Sequence, residues 1–356
     1  MPVPRCTSRA ARASRENVGV SSPRALVIGT GYAGQRHADA LRELGISFAG
    51  PISARDAARD ESPIRATGAQ VIHVCSANDL HGPLVSAALD AAKDVICEKP
   101  LALDVRSAQD LASRAERSSG RAFLAYNYRF HPMVVELATR VAGGALGALH
   151  DVRGSFLQDW LLLSTDDNWR LDAARGGASR VIADIGAHWL DLAEVVTGRA
   201  VTAVVAQVGR LHERATEDHA GLLMRFGDDL IATCVLSQAA AGHRNDLELS
   251  IDGTTSSVTW RHGTPNELWV GTRDGDAEVV RRNGSLRSDA ARSLAALAPG
   301  PNEARRNLLA AIYAALDGGG DRPAAPLPTF ADGLRHVRFA AAALESAQRR
   351  AWVDVG

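Results

Sequence analysis

A short apolar run that ends in three spaced glycines constrains this chain more than any other feature. Ala25-Leu26-Val27-Ile28 is followed directly by Gly29-Thr30-Gly31-Tyr32-Ala33-Gly34. An apolar, β-branched run without alternation reads as a parallel strand covered on both faces. Over residues 33–44 the apolar positions then recur at helical spacing, and Gly45 stops them. Strand, glycine turn and helix in that order open a βαβ unit and commit this part of the chain to an open parallel sheet.

The same alternation continues for about a hundred residues. Further strands are expected at 46–52, 69–75, 95–97 and 122–125, with helical patterns at 84–92 and 107–117. After Tyr126 the pattern changes. A helix over 133–141 and a glycine-rich turn at 143–147 lead into strand candidates at 149–157, 201–211, 220–226, 230–236, 246–251, 257–260 and 267–270. Turn signals such as Gly227-Asp228-Asp229 and Asp252-Gly253 join several of them, which reads as a mainly antiparallel sheet. Helices over 303–316 and 331–349 flank a breaker run at 318–328. With 356 residues, about two domains are expected. The expected fold is α/β: a doubly wound parallel sheet over 24–126, then an α/β unit with a large open sheet over 127–356.

Residues 1–23 are Arg- and Ser-rich and read as a disordered tail. The composition also suits an organelle transit peptide, and the stretch lacks the apolar centre of a secretory signal. Beyond residue 24 the chain carries 35 cations against 40 acids, so no basic surface for nucleic acid is expected. No apolar run approaches the roughly 18 residues of a membrane span. Cys6, Cys75, Cys97 and Cys234 are scattered without metal-ligand or disulfide spacing. They read as free thiols of a reducing, cytoplasmic compartment.

The glycine turn matches the pattern in which the first glycine permits a tight turn, the second admits a diphosphate and the third lets helix and strand close up. The plain alternative is an ordinary glycine turn. About 20 residues on, where a ribose-binding acid is expected, stands Ser53-Ala54-Arg55-Asp56. Ser53 and Arg55 tilt the reading toward a 2′-phosphate and hence NADP, while Asp56 keeps NAD open.

Lysine occurs only twice, at Lys93 and Lys99, among 40 cationic residues. Lys99 lies in Glu98-Lys99-Pro100, at the carboxyl end of a strand, where open α/β sheets bind ligands. An ammonium kept where arginine is the rule points to chemistry that needs a compact donor able to exchange a proton. A solvated Glu–Lys pair is the plain alternative. Asp184 and His188 stand four apart at the start of an apolar-patterned helix and so share one face. They read either as an acid/base pair or as a helix cap and a satisfied core histidine.

Taken together these motifs resemble the Gfo/Idh/MocA family of NAD(P)-dependent oxidoreductases. The resemblance runs through Ser76-Ala77-Asn78-Asp79-Leu80-His81, Glu98-Lys99-Pro100, Tyr128-Arg129-Phe130, residues 144–147, Asp184-x-Gly-x-His188 and the segment from Asn307 through 328–333 to Trp352. The stretches 157–160 and 167–170 look like the branch that acts on sugars and anhydrosugars. The resemblance implies hydride transfer between a nicotinamide and a sugar, anhydrosugar or cyclic polyol, without a metal, in a homo-oligomer formed through the carboxy-terminal sheet. It implies Lys99, Asp184 and His188 at the reacting carbon. The cofactor would be held by Gly29, Gly31, Tyr32, Ala33, Gly34, Ser53, Arg55, Ser76, Asn78, His81, Glu98, Lys99, Trp169 and Arg170. Tyr126, Arg129 and Trp160 would wall the sugar.

One departure stands out. Only residues 54–69 join the second and third strands, interrupted by Ser62-Pro63, so an element of the parallel layer is expected to be missing. That shortening motivates a rival reading, a non-catalytic nucleotide or sugar sensor, or a decayed paralogue, with weakened cofactor binding.

Overall fold

The computed structural model describes residues 24–319 and 322–356; the tail at 1–23, with Cys6, lies outside them. Strands β1 (Ala25–Ile28), β2 (Phe48–Ile52), β3 (Val71–Val74), β4 (Asp94–Cys97) and β5 (Ala122–Leu124) form a parallel sheet in the order β2-β1-β3-β4-β5. Every residue of β1 and β3 is buried; β1 is wholly apolar, and the one polar side chain of β3, His73, is hydrogen-bonded to His37 and Tyr313. Helix α1 (Tyr32–Glu43) follows β1. Two short helices, α2 (Ala54–Arg59) and α3 (Ser62–Arg65), fill the connection from β2 to β3. Then come α4 (His81–Asp90) and α5 (Val105–Arg117).

Compared with the six-stranded order 3-2-1-4-5-6 of a dinucleotide-binding sheet, no strand lies outside β2 among the described residues, and β2 forms the edge. This is the shortening that residues 54–69 foreshadow. The remaining helices are α6 (Pro132–Ala142), α7 (Ala173–Gly176), α8 (Ala187–Thr197), α9 (Asp289–Ala295), α10 (Glu303–Leu316) and α11 (Phe330–Arg349).

The second sheet has nine strands: β6 (Leu149–Leu157), β7 (Val201–Gly209), β8 (His219–Phe226), β9 (Leu230–Ser237), β10 (Asp246–Gly253), β11 (Ser256–Arg261), β12 (Glu267–Thr272), β13 (Glu278–Arg281) and β14 (Val353–Asp354). Their order is β13-β12-β11-β10-β6-β9-β8-β7-β14, antiparallel except for β6 beside β9. Burial alternates strictly along β8 and nearly so along β9, so one face packs on α6, α8 and α11 and the other is open. Trp189, Trp260, Phe156 and Phe226 fill the covered side, and truncating either tryptophan to Ala is expected to cost ~3–5 kcal/mol.

Helix α11 packs against both α5 and β7, and α10 packs against α1, which ties the two sheets together. The Leu124 N–H donates to the Pro328 carbonyl, so the chain returns to cover the β5 edge. The expected elements occur within a few residues of their expected bounds. The short α2, α3, α7, α9, β13 and β14 are additional; each is too short for a periodic pattern to register.

Candidate active site

The glycine loop is dictated by close approach. Gly29 has φ +121°, and a Cβ there would lie 2.2 Å from the Cys75 carbonyl oxygen; a Cβ on Gly34 would lie 1.7 Å from the Gly29 oxygen. A Cβ on Gly31 would meet nothing within 4 Å, so the space before the start of α1 is open. Gly31 caps α1 without a side chain, and no acid stands in its first turn. Free N–H groups, the positive end of the helix and an open approach make a cradle for a diphosphate. The Gly29 N–H donates to the Ile52 carbonyl (2.8 Å), which brings the loop beside Ser53. Ser53 caps α2 by accepting from the Asp56 N–H (3.3 Å), Arg55 is exposed, and exposed Asp56 faces Arg59. Tyr32 is exposed, with the Arg36 guanidinium over its ring.

Lys99 leaves the carboxyl end of β4. Its Nζ donates to the Asp184 carbonyl (2.9 Å) and to Asp184 Oδ1 (2.5 Å), so one of its three protons remains uncommitted. Asp184 Oδ2 accepts from Gln238 Nε2 (2.8 Å) and lies 3.4 Å from Arg170 Nε. Burial opposes the charge of Asp184, but the charges of Lys99 and Arg170 outweigh it and hold the carboxyl well below its usual range. Asp184 sits in a π-helical turn, Ile182–Gly186, leading into α8, and not at a regular helix start as its spacing from His188 suggests. Such wide turns are frequent at functional sites.

His188 is half-buried, and its ring nitrogens make no hydrogen bond to a described residue. Burial, then the positive charge of Lys99, pulls its pKa down to about 3. At neutral pH the imidazole is therefore uncharged and keeps a lone pair for a proton.

Several expected contact residues lie behind this wall. Arg129 is 3% exposed; its Nε donates to both oxygens of Asp191 (2.9 Å), and its guanidinium also faces Asp332 (3.2 Å). It is spent on two carboxylates and does not line the cleft. Tyr126 is 1% exposed, with its ring edge-on to His188 and His336. His81 is fully buried, with Nδ1 2.7 Å from the Pro100 carbonyl oxygen and Nε2 3.3 Å from that of Ser76; the neutral ring donates to one of them, and burial keeps it out of reach of a cofactor.

Others stand at the cleft. Asn78 donates to the Gly176 carbonyl (3.0 Å), and the Ser76 hydroxyl donates to the Ala77 carbonyl. Arg170 stacks on Trp169 and reaches toward Asp184. Trp160 is half-buried, and its indole N–H donates to Gln158. Glu98 is buried and accepts from Arg305 and the Lys99 N–H, with His37 Nε2 at 3.3 Å. Burial disfavours its charge, but His37 and Arg305 prevail and keep it ionised.

Sequence reasoning assigned no site role to Tyr128, Gln158 and Asn245, which are half-buried on the same side, or to the fully buried Gln238 behind Asp184. Tyr128 carries one signal, its place in the Tyr128-Arg129-Phe130 motif; its ring packs edge-on against His188 (5.1 Å), and it is half-buried where Tyr126 is fully buried. The amides carry none of their own, since apart from Trp160 beside Gln158 the partners that orient them lie 54 to 117 positions away.

A parallel sheet with an open diphosphate cradle, and a lysine–aspartate–histidine group at its carboxyl edge, defines an NAD-binding oxidoreductase. Residues 53–126 match the oxidoreductase family with an NAD-binding Rossmann fold, and residues 134–259 match the GFO/IDH/MocA C-terminal domain. The chain belongs to the Gfo/Idh/MocA family.

Levoglucosan dehydrogenase of Pseudarthrobacter phenanthrenivorans is 27% identical over 318 residues, 80% of each chain. D-xylose 1-dehydrogenase [NADP(+)] of Haloarcula marismortui is 27% identical over 191 residues, 52% of each. Among solved structures, a levoglucosan dehydrogenase in complex with NADH and levoglucosan superposes with a TM-score of 0.81, at 24% identity, over 93% of this chain and 98% of that one. An inositol dehydrogenase homolog complexed with NAD+ from Azotobacter vinelandii gives 0.82, at 23% identity, over 94% and 98%.

Proposed function

We propose that this protein transfers hydride between a nicotinamide dinucleotide and a CH–OH carbon of a sugar, anhydrosugar or cyclic polyol. The observation that carries the reading is the Lys99–Asp184 pair beside a neutral His188 whose ring nitrogens have no partner among the described residues. The nicotinamide, when bound, supplies or accepts the hydride. His188 takes up or returns the hydroxyl proton. Lys99 turns its third N–H to the alcohol oxygen as negative charge develops there, and Asp184 keeps that ammonium charged and in place.

The backbone at Gly29, Gly31, Tyr32, Ala33 and Gly34 holds the diphosphate. Ser53 and exposed Arg55 suit a 2′-phosphate, which favours NADP, and one of the relatives is NADP-dependent by name. Ser76, Asn78, Glu98, Trp169 and Arg170 border the nicotinamide side, and Trp160 the sugar. The open face of the nine-stranded sheet, with Leu223, Ile231 and Val235 outward, serves as the contact between copies, and the chain works in the cytoplasm.

The test is NADH and NADPH binding by fluorescence, followed by nicotinamide reduction at 340 nm across pyranoses, levoglucosan and inositols. Lys99→Ala is expected to lower turnover by about 10²–10³-fold while reduced-cofactor binding stays within about tenfold. Cofactor binding without turnover of any alcohol, unaltered by Lys99→Ala, would favour the sensor reading instead.

A further inference from the structure

Three side-chain amides form a chain that starts beside Asp184, and two donor-only groups, Arg180 at its inner end and Trp160 on its middle amide, fix the sense of every bond in it. Arg180, a guanidinium that can only donate, gives a hydrogen to Gln238 Oε1 (2.8 Å). The Gln238 NH2 is thereby turned to Asp184 Oδ2 (2.8 Å) and Gln158 Oε1 (3.4 Å). The Trp160 indole N–H, also donor-only, gives to the same Gln158 Oε1 (2.7 Å). The Gln158 NH2 must then donate to Asn245 Oδ1 (2.8 Å), and the Asn245 NH2 to the Tyr128 hydroxyl oxygen (3.1 Å).

The chain ends on a phenol whose oxygen is occupied as an acceptor and whose own proton has no protein partner among the described residues. The Tyr128 ring stands 5.1 Å from that of His188, and the residue is half-buried at the cleft. Arg180 is itself fixed by Asp218 and Thr216, so the polarity is anchored in the core and does not depend on solvent.

We propose that Gln158 and Asn245 are positioning residues that make Tyr128 a hydrogen-bond donor to an acceptor oxygen of the substrate, a ring or bridging ether, a carbonyl or a hydroxyl lone pair. The inference rests on the sugar reading for the ligand class but not for the polarity of the chain. A donor fixed in this way selects for an oxygen at that place, because a substrate without one leaves a buried phenol proton unpaired.

Gln158→Glu tests it. The carboxylate still accepts from Trp160 and Gln238, but it offers no hydrogen to Asn245. The Asn245 amide must turn over, its carbonyl then faces Tyr128, and the phenol proton is captured. With levoglucosan and NAD+ or NADP+ as probes, Gln158→Glu and Tyr128→Phe are each expected to raise KM about tenfold, with kcat changed less than threefold. The double variant is expected to lose no more than either single one.

Losses that multiply in the double variant, or a wild-type KM in Gln158→Glu, overturn the proposal. If the wild-type protein turns over no sugar at all, the functional reading fails, and the polarity is read instead from tyrosine ionisation near 295 nm. The transition missing in Tyr128→Phe should move to higher pH in Gln158→Glu. An unmoved transition overturns the proposal just as well.

Discussion

The two sheets solve the problem of burial differently. The parallel sheet is covered on both faces: β1 and β3 have no exposed residue, and their apolar side chains point both ways into helices. The nine-stranded sheet is covered on one face, so β8 and β9 alternate buried and exposed positions over eight residues each. A layer closed on both faces can meet a ligand only at its strand ends, and there stand the glycine loop, Ser53, Ser76 and Lys99. A layer closed on one face has a second surface to offer, and the residues it sends toward Asp184 come from strand ends, as Gln158 and Gln238 do directly after β6 and β9.

The sharpest way to break this comparison is to place the same charge in both sheets. Val74→Arg, in β3, is expected to abolish soluble expression, since it buries an unpaired guanidinium on a strand with no open face. A folded Val74→Arg protein would refute the two-sided description.

Acid should act next most strongly. Burial lowers the pKa of His37, His73 and His81 in the parallel layer, and it holds His131 at about 3. These rings are neutral in the fold but charge in the unfolded chain as pH falls below about 6.5. The unfolded state therefore binds more protons, and stability drops with falling pH. His131 alone should account for about 2 kcal/mol between pH 6.5 and 5. Urea midpoints at pH 7 and 5 would measure the loss, and a midpoint indifferent to pH would contradict it.

The smallest effect on folding is expected from Val235→Arg on the open face, where Val235 is 55% exposed. Thermal stability of the subunit should change by no more than about 0.5 kcal/mol. If copies associate through this face, the sedimenting mass should fall; an unchanged oligomer would place the contact elsewhere.

Legibility in the sequence followed the same division. Apolar runs such as 25–28 and, but for His73, 71–74 announced the buried parallel strands, and turn signals at 227–229 and 252–253 announced the antiparallel sheet. Gly29 and Gly34 were readable because backbone approach leaves no substitute for glycine, and Lys99 because it stood out against a background of arginine. Arg129 and His81 were misjudged as contact residues for a common reason. Residue type signals a polar role, but only the fold reveals that Asp191 or the Pro100 carbonyl has already claimed it. The amide chain was illegible because asparagine and glutamine acquire direction only from their neighbours, and those arrive from β6, β9 and the loop before β10.

The shortened parallel sheet has one more consequence, for how the molecule behaves in a crowd of its own kind. Without an outer strand, β2 ends the sheet, and a bare strand edge invites pairing with another chain. Pro51 lies within that edge strand and has no N–H to offer an incoming neighbour, while at the opposite margin residues 328 and 329 already pair with β5. The layer that lost a strand is thus stopped at both ends, and it can stay small without becoming a seed for aggregation.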